Sequence, residues 1–303
     1  MLNNTLYIVI PYFNFVDYAS GKINLDRFIT QMSSTSGIAI VLVEGYQTEK
    51  LPDYSQKIHK HIRVKLPSVL WVKENLINLG VKQLPKDWQY MAWVDRDILF
   101  TNDNWVNETL AQLGSNDLVQ PWTECVFLND NHEHTIADKA GTNVIFAESF
   151  CSLLPKKILT ASNWYKGRHA HPGQAWAIGR KFYDYLGGLY DKAILGGADS
   201  LPLIAKLELQ KHPTLTGIQE DVADYLDKLK EARLGCVRGL ICHYKHGEAT
   251  NRQYVDRHKV MVTYNYKPSL FLTYNSDGVL AYTAQGKVME SAVRDYFVSR
   301  RED

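Results

Sequence analysis

Two aspartates two residues apart, Asp95 and Asp97, follow the apolar run Tyr90–Val94. On a strand, residues i and i+2 point to the same side, so both carboxylates would face one way. Adjacent carboxylates repel unless a cation neutralises them. Hard oxygen ligands suit Mn2+ or Mg2+, and such ions often bridge to substrate phosphates. The competing reading of Asp-Arg-Asp is a surface turn neutralised by Arg96. Position favours the cation, because open α/β sheets bind ligands at the carboxyl ends of their central strands.

Three other stretches carry reactive or directional side chains. Gly196-Gly197-Ala198-Asp199-Ser200 is a turn whose glycines permit positive φ and close approach to a ligand, and Asp199 suits an N-cap of the helix that follows. In His171-Pro172-Gly173-Gln174-Ala175-Trp176, His171 and Gln174 offer directional hydrogen bonds. Trp176 either stacks on a ligand ring or fills the core. His243-Tyr244-Lys245-His246 spaces two histidines three apart. In a continuing strand they face opposite sides, so one metal ligand is expected there, not two. Zinc is disfavoured because no matched second Cys or His pair accompanies them.

The elements that must hold these residues alternate. Thr5–Pro11, Gly37–Glu44 and His61–Leu66 read as β-branched strands, and Tyr90–Phe100 as a fourth that runs into a loop. Trp71–Gly80 has helical spacing and ends in glycine, a usual stop. Asn104–Leu113 reads as a helix capped by Asn102 or Asp103, and Leu118–Trp122 as a strand. Then come a strand at Gln174–Arg180 and helices at Lys181–Tyr190, Leu201–Gln210 and Asp221–Arg233. A strand at Arg238–His243, a helix at Asn251–Val262 and a hairpin at Phe271–Thr283 complete the reading. The pattern implies an α/β fold with a mostly parallel central sheet and helices on both faces. We expect one large domain over 1–265, with halves 1–122 and 123–265, and a C-terminal hairpin and helix appendix over 266–303.

Composition sets the outer bounds. The chain has 303 residues, 45% hydrophobic and 22% charged, with 34 Lys plus Arg against 33 Asp plus Glu for a net charge of +1. That excludes a disordered chain or a disulfide-dense miniprotein. It also argues against a nucleic-acid coat held by bulk charge. The balance hides a step: Lys86–Glu148 holds eleven acids and three bases, whereas Phe150–Tyr183 holds six bases and no acid. Two differently charged solvated faces are the plain account. No stretch reaches the roughly 18 apolar residues of a membrane span. The opening MLNNTLYIVIPYFNF lacks the basic flank of a secretory signal, and Cys125, Cys151, Cys236 and Cys242 show no CxxC spacing. Buried thiols and a cytoplasmic location are expected.

In their order, IPYFN, the strand ending at Glu44, KENLINLG, WVDRDILF, TNDNWVNETLAQL, HPGQAWAIGRKFYDYLGGLYDKAILGGADS and HYKHGEATNRQYVDRHKVM resemble the GT-A fold glycosyltransferases. The likeness is to those related to family 2 and to the galactosyltransferase-like groups, over roughly Thr5–Val262. It implies a Rossmann-like fold and transfer of a sugar from a nucleotide-diphosphate sugar, a UDP-sugar first among them, to an acceptor hydroxyl. It further implies Mn2+ or Mg2+ held by Asp95, Asp97 and one of His243 or His246. Pro11, Phe13 and Asn14 would hold the nucleoside, with Glu44 accepting from the base or ribose; a polar strand cap is the plainer role of Asn14 and Glu44. Lys73 and Asn75, two apart on a helix, do not share a face, and Lys73 is the better fit to the nucleotide side. Arg96, Lys245, Arg252 and Arg257 lie where cations would meet the diphosphate, unless Asp256 pairs the last two on a helix surface. Asp199 would be the base of an inverting displacement; the family's acidic pair is here one acid, since Ala198 precedes it. His171, Gln174, Trp176 and Gly197 would line the acceptor, a glycan, a lipid-linked sugar or a modified nucleic acid. The basic segment favours a charged acceptor if it faces the cleft. A nucleotidyltransferase, which would normally carry a Gly-rich phosphate loop that IPYFNF lacks, and a non-catalytic nucleotide-sugar-binding module are the alternatives.

Overall fold

The computed structural model describes residues 5–128, 146–160, 162–163 and 170–303. The His132-Glu133-His134 stretch, read from sequence as an exposed turn, lies outside them, as do Lys139, Lys166 and Arg168. In chain order the strands are β1 Leu6–Phe13, β2 Ile38–Tyr46, β3 Lys60–Lys65, β4 Tyr90–Val94, β5 Ile98–Phe100, β6 Leu118–Gln120, β7 Glu124–Phe127, β8 Phe146–Ser149, β9 Ala170–His171, β10 Ala175–Gly179, β11 Leu234–Cys236, β12 Leu240–His243, β13 Leu272–Tyr274 and β14 Leu280–Tyr282. Seven form the main sheet in the order β11-β6-β10-β4-β1-β2-β3. Strand β10 runs antiparallel to both neighbours, and the other pairs are parallel. A second sheet, β5-β12-β7-β8-β9, stands beside it, and β13 and β14 form the expected hairpin.

The main sheet is covered on both faces because its central strands carry apolar residues in every register, while the edge strand β3 is polar and half-exposed. Along β1, Leu6, Ile8 and Ile10 enter one core and Tyr7 and Val9 the other. The helix Ala19–Met32, which was not among the elements expected, buries Leu25, Phe28, Ile29 and Met32 at helical spacing on the first core. The helix Lys73–Val81 lies on the opposite face. Gly80 does not stop it. A Cβ there would meet Val9 at 2.7 Å and Val43 at 2.8 Å, so glycine lets the helix press against β1 and β2.

Three further expectations are corrected. Tyr90–Phe100 is not one strand: β4 ends at Val94 and β5 pairs with β12 in the second sheet. Residues 95–97 are therefore a turn that passes the chain between sheets. The expected helix Asn251–Val262 is broken into two single turns, Ala249–Arg252 and Asp256–His258, followed by the helix Lys259–Thr263. Nor do residues 266–303 form an appendix. Leu280, Val293 and Phe297 belong to the same core as Val9 and Leu76, because the apolar side of the helix Glu290–Ser299 packs there. None of the four cysteines is in a disulfide. No helix among the described residues is long and apolar enough to cross a membrane.

Candidate active site

The Asp95–Asp97 turn sits at the carboxyl end of β4, held by the Asp95 N–H donating to the Gln174 carbonyl at 2.8 Å. It opens into a cleft of about 1240 Å³ whose wall is built by the ends of β1, β4 and β12. Because the chain turns here, the two carboxylates part company. Asp95 accepts from Lys73 Nζ at 2.6 Å. Burial disfavours the Lys73 ammonium, but the charges of Asp95 and Asp199 outweigh it and raise its pKa. Asp97 turns the other way, toward the histidines.

His243 and His246 both reach Asp97, whereas a continuing strand would face them to opposite sides. Strand β12 ends at His243, and the Tyr244 N–H donates to the Asp97 carbonyl at 2.7 Å, which bends the chain back over the turn. The two imidazoles then stack at 5.4 Å. His246 Nε2 lies 2.6 Å and His243 Nε2 3.6 Å from Asp97 Oδ2. One oxygen and two nitrogens from this trio lie within 4.8 Å of one another. Asp97 Oδ1 is buried with no hydrogen-bond partner among the described residues, a costly arrangement that a bound cation would relieve. The donor set thus fits a divalent cation, and two imidazoles shift the fit from Mg2+, which prefers oxygen, toward Mn2+. Burial, only partly offset by Asp97, lowers His243 to about 4, leaving a neutral ring with a lone pair to give. At His246 burial is outweighed by Asp97, and the pKa rises. At Asp97 burial is outweighed by both histidines, and the carboxyl is held well below its ordinary range.

Across the cleft stands Asp199. The helix Leu201–Leu207 is entered through Ser200 with no side-chain cap, so Asp199 is not spent as one. It lines the cleft and makes no hydrogen bond to another described residue. Gly173 leaves room beside it: a Cβ there would lie 2.8 Å from Asp199 Oδ2 and would push that carboxylate aside. At Gly197, with φ +98°, a Cβ would lie 2.6 Å from Thr214 Oγ1 and 3.2 Å from Arg257 Nη2. On the other side Phe13, Phe15, Trp71 and Phe297 form an aromatic wall, with Arg300 over the Trp71 ring at 5.1 Å. Arg252 Nη2 approaches His246 Nε2 at 2.8 Å.

Most of the residues singled out in sequence meet in this cleft: Pro11, Phe13, Asn14, Lys73, Asp95, Arg96, Asp97, His171, Gln174, Gly197, Asp199, His243, Lys245, His246, Arg252 and Arg257. Several of them are engaged within the fold: Asn14 closes a turn with Tyr18, Arg96 donates to the Gly21 carbonyl at 3.1 Å, Lys245 pairs with Glu248 at 2.8 Å, and Arg257 Nη1 donates to the Tyr296 hydroxyl at 3.1 Å. Three lie elsewhere. Glu44 is buried inside β2, which continues to Tyr46, and accepts from Leu51 N–H at 2.5 Å and Arg63 Nε at 3.0 Å. Asn75 donates to Asp191 and the Gly278 carbonyl and accepts from Leu280 N–H, tying its helix to the hairpin. Trp176 is a core residue that donates to the Pro172 carbonyl at 2.6 Å.

The charge step is also not carried into the cleft by the described bases. Lys156, Lys157, Arg180 and Lys181 do not line it, and Lys156 pairs with Glu148 of the acidic segment at 3.2 Å. Among the cleft residues that the sequence did not single out are Trp71, His212, Phe297, Arg300 and Glu302. Their only sequence signal is type, since each reaches the site by a long-range contact.

No known protein family matches the sequence, and no curated protein does. Among solved structures, the chain is similar to the mannosyltransferase PcManGT from Pyrobaculum calidifontis in complex with GDP-Man and Mn2+, at 11% identity and TM-score 0.48, over 96% of this chain and 69% of that one. It is similar to a Drosophila β-1,4-galactosyltransferase 7 variant in complex with manganese, UDP-Gal and xylobiose, at 12% identity and TM-score 0.39, over 78% of this chain. The chain spans 65% of that galactosyltransferase's length. A 4-diphosphocytidyl-2C-methyl-D-erythritol synthase from Anaerococcus prevotii matches at 12% identity and TM-score 0.36, over 78% of this chain and 88% of that one.

Proposed function

We propose that the chain is a metal-dependent GT-A glycosyltransferase that moves a sugar from a nucleoside-diphosphate donor to an acceptor hydroxyl. The observation that carries this reading is the trio Asp97, His243 and His246, with its unpartnered carboxylate oxygen, facing a separate uncommitted carboxylate, Asp199, across one cleft. Asp97, His243 and His246 would hold Mn2+, with Mg2+ the poorer fit. Bound there, the cation supplies positive charge to the diphosphate that leaves. Lys73 and Arg252 add fixed cations at the same edge, and Phe13 and Trp71 offer aromatic faces to the base. Asp95 sets the Lys73 ammonium in place. Asp199 accepts the proton of the acceptor hydroxyl, which attacks the anomeric carbon with inversion. His171, Gln174 and Gly197 border that side.

The test separates the two carboxylates. With a nucleoside-diphosphate sugar that the wild type turns over, Asp199→Asn should lower kcat roughly a hundred- to ten-thousand-fold, the usual worth of a general base, and leave Mn2+ affinity unchanged. Wild-type kcat in Asp199→Asn would remove the base from the account.

A further inference from the structure

Around His246 the contacts fall on both sides of the ring. Nε2 faces Asp97 Oδ2 at 2.6 Å, with Arg252 Nη2 2.8 Å away, a contact that a cation on Nε2 would displace. Nδ1, on the opposite edge, faces Glu302 Oε1 at 3.6 Å, just beyond hydrogen-bond length. Glu302 is 8% exposed, and Arg300 Nε donates to the same oxygen at 2.7 Å. Glu302 is not among the residues whose donor atoms cluster with Asp97 and His243, so it stands behind the ring and not in the cluster.

The segment that carries Glu302 is fastened at several points. Asp303 accepts from the Ala19 and Ser20 N–H groups at 2.9 and 2.8 Å, at the start of the helix Ala19–Met32. The Tyr18 hydroxyl donates to the Val298 carbonyl at 2.7 Å and accepts from the Arg301 N–H at 3.0 Å. The turn after His246 is shaped to receive this segment. A Cβ on Gly247 would lie 2.7 Å from the Arg301 carbonyl oxygen and 3.0 Å from Glu302 Cα.

An imidazole that gives one nitrogen to a metal carries its proton on the other, and a carboxylate at that proton fixes both tautomer and ring angle. We propose that Glu302 is a positioning residue for the metal site, holding His246 as the Nδ1–H tautomer with Nε2 directed at the cation. This rests on the metal reading of Asp97, His243 and His246 given above. Arg300 keeps the carboxylate charged and placed, and the contacts of Tyr18, Gly247 and Asp303 set the segment in register with His246.

The test is calorimetric titration of Mn2+ into the full chain, beside its Glu302→Gln and Glu302→Asp variants. Glu302→Gln preserves shape and should weaken the Mn2+ Kd about ten- to a hundredfold, the usual effect of removing a ligand-orienting carboxylate. Glu302→Asp should fall between the two. Glu302→Gln takes the charged partner from the buried Arg300, so its melting temperature without metal should fall while Glu302→Asp, which keeps the charge, falls less, and the visible spectrum of bound Co2+ should shift in the folded Glu302→Gln. An unchanged Mn2+ Kd with an unchanged Co2+ spectrum in Glu302→Gln overturns the positioning role alone. A wild type that binds neither ion overturns the metal reading itself, and this inference with it.

Discussion

Removing the Asp97 carboxylate and removing that of Asp95 have different expected outcomes, because each side chain answers to different partners. Asp97→Asn should abolish Mn2+ binding and spare the fold. It takes the one oxygen ligand from a trio otherwise made of imidazoles. Asp95→Asn leaves the buried Lys73 ammonium without its 2.6 Å partner. Losing one member of a buried pair is strongly destabilising. Asp95 is 30% exposed, so a moderated cost of about 2 kcal/mol is expected in urea denaturation. The sequence placed both acids at a strand end but paired them with one another. What it did not display was the turn at 95–97, because YMAWVDRDILF has the same apolar flanks whether or not a sheet boundary falls inside it.

At the scale of elements, the helix Lys73–Val81 shows what a local pattern reveals and what it hides. Its existence follows from spacing, while its contact with β1 and β2 through Gly80 is seen only in the fold. The burial of Glu74 beneath the Asp199 turn does not, since a glutamate in a first helical turn ordinarily faces water. Burial, with the opposing pull of Lys73 and the like charge of Asp199, raises Glu74 to about 8. The folded state therefore holds this proton more tightly than the unfolded chain, whose value is near 4.5. Stability contributed by Glu74 is full below pH 4.5 and is lost as pH climbs toward 8. Urea midpoints should fall across that window in the wild type and fall less in Glu74→Gln; equal slopes would contradict this. The helix Ala19–Met32 was illegible for a related reason. Its first amides are satisfied by Asp303, so no capping side chain marks its start.

On the scale of the whole molecule, most strands of the main sheet were legible in chain order, whereas the antiparallel run of β10, the edge strand β11, the second sheet and the closure of the cleft were not. Residues 266–303 read as an appendix because their hairpin and helix are locally complete. In the fold they supply Leu280, Val293 and Phe297 to the main core and Arg300 and Glu302 to the cleft wall. A chain ending at residue 265 should thus lose cooperative unfolding, seen by circular dichroism, where a separable appendix would leave a folded remainder. The central claim is a cation site that serves a nucleotide sugar. Its most direct test is a thermal-shift panel of UDP-, GDP- and CDP-sugars with and without Mn2+, on wild type and Asp97→Asn. The account predicts that at least one nucleotide sugar raises the wild-type melting temperature only when Mn2+ is present, and that Asp97→Asn shows no such rise. No shift with any nucleotide sugar, or the same shift without Mn2+ and in Asp97→Asn, would contradict it.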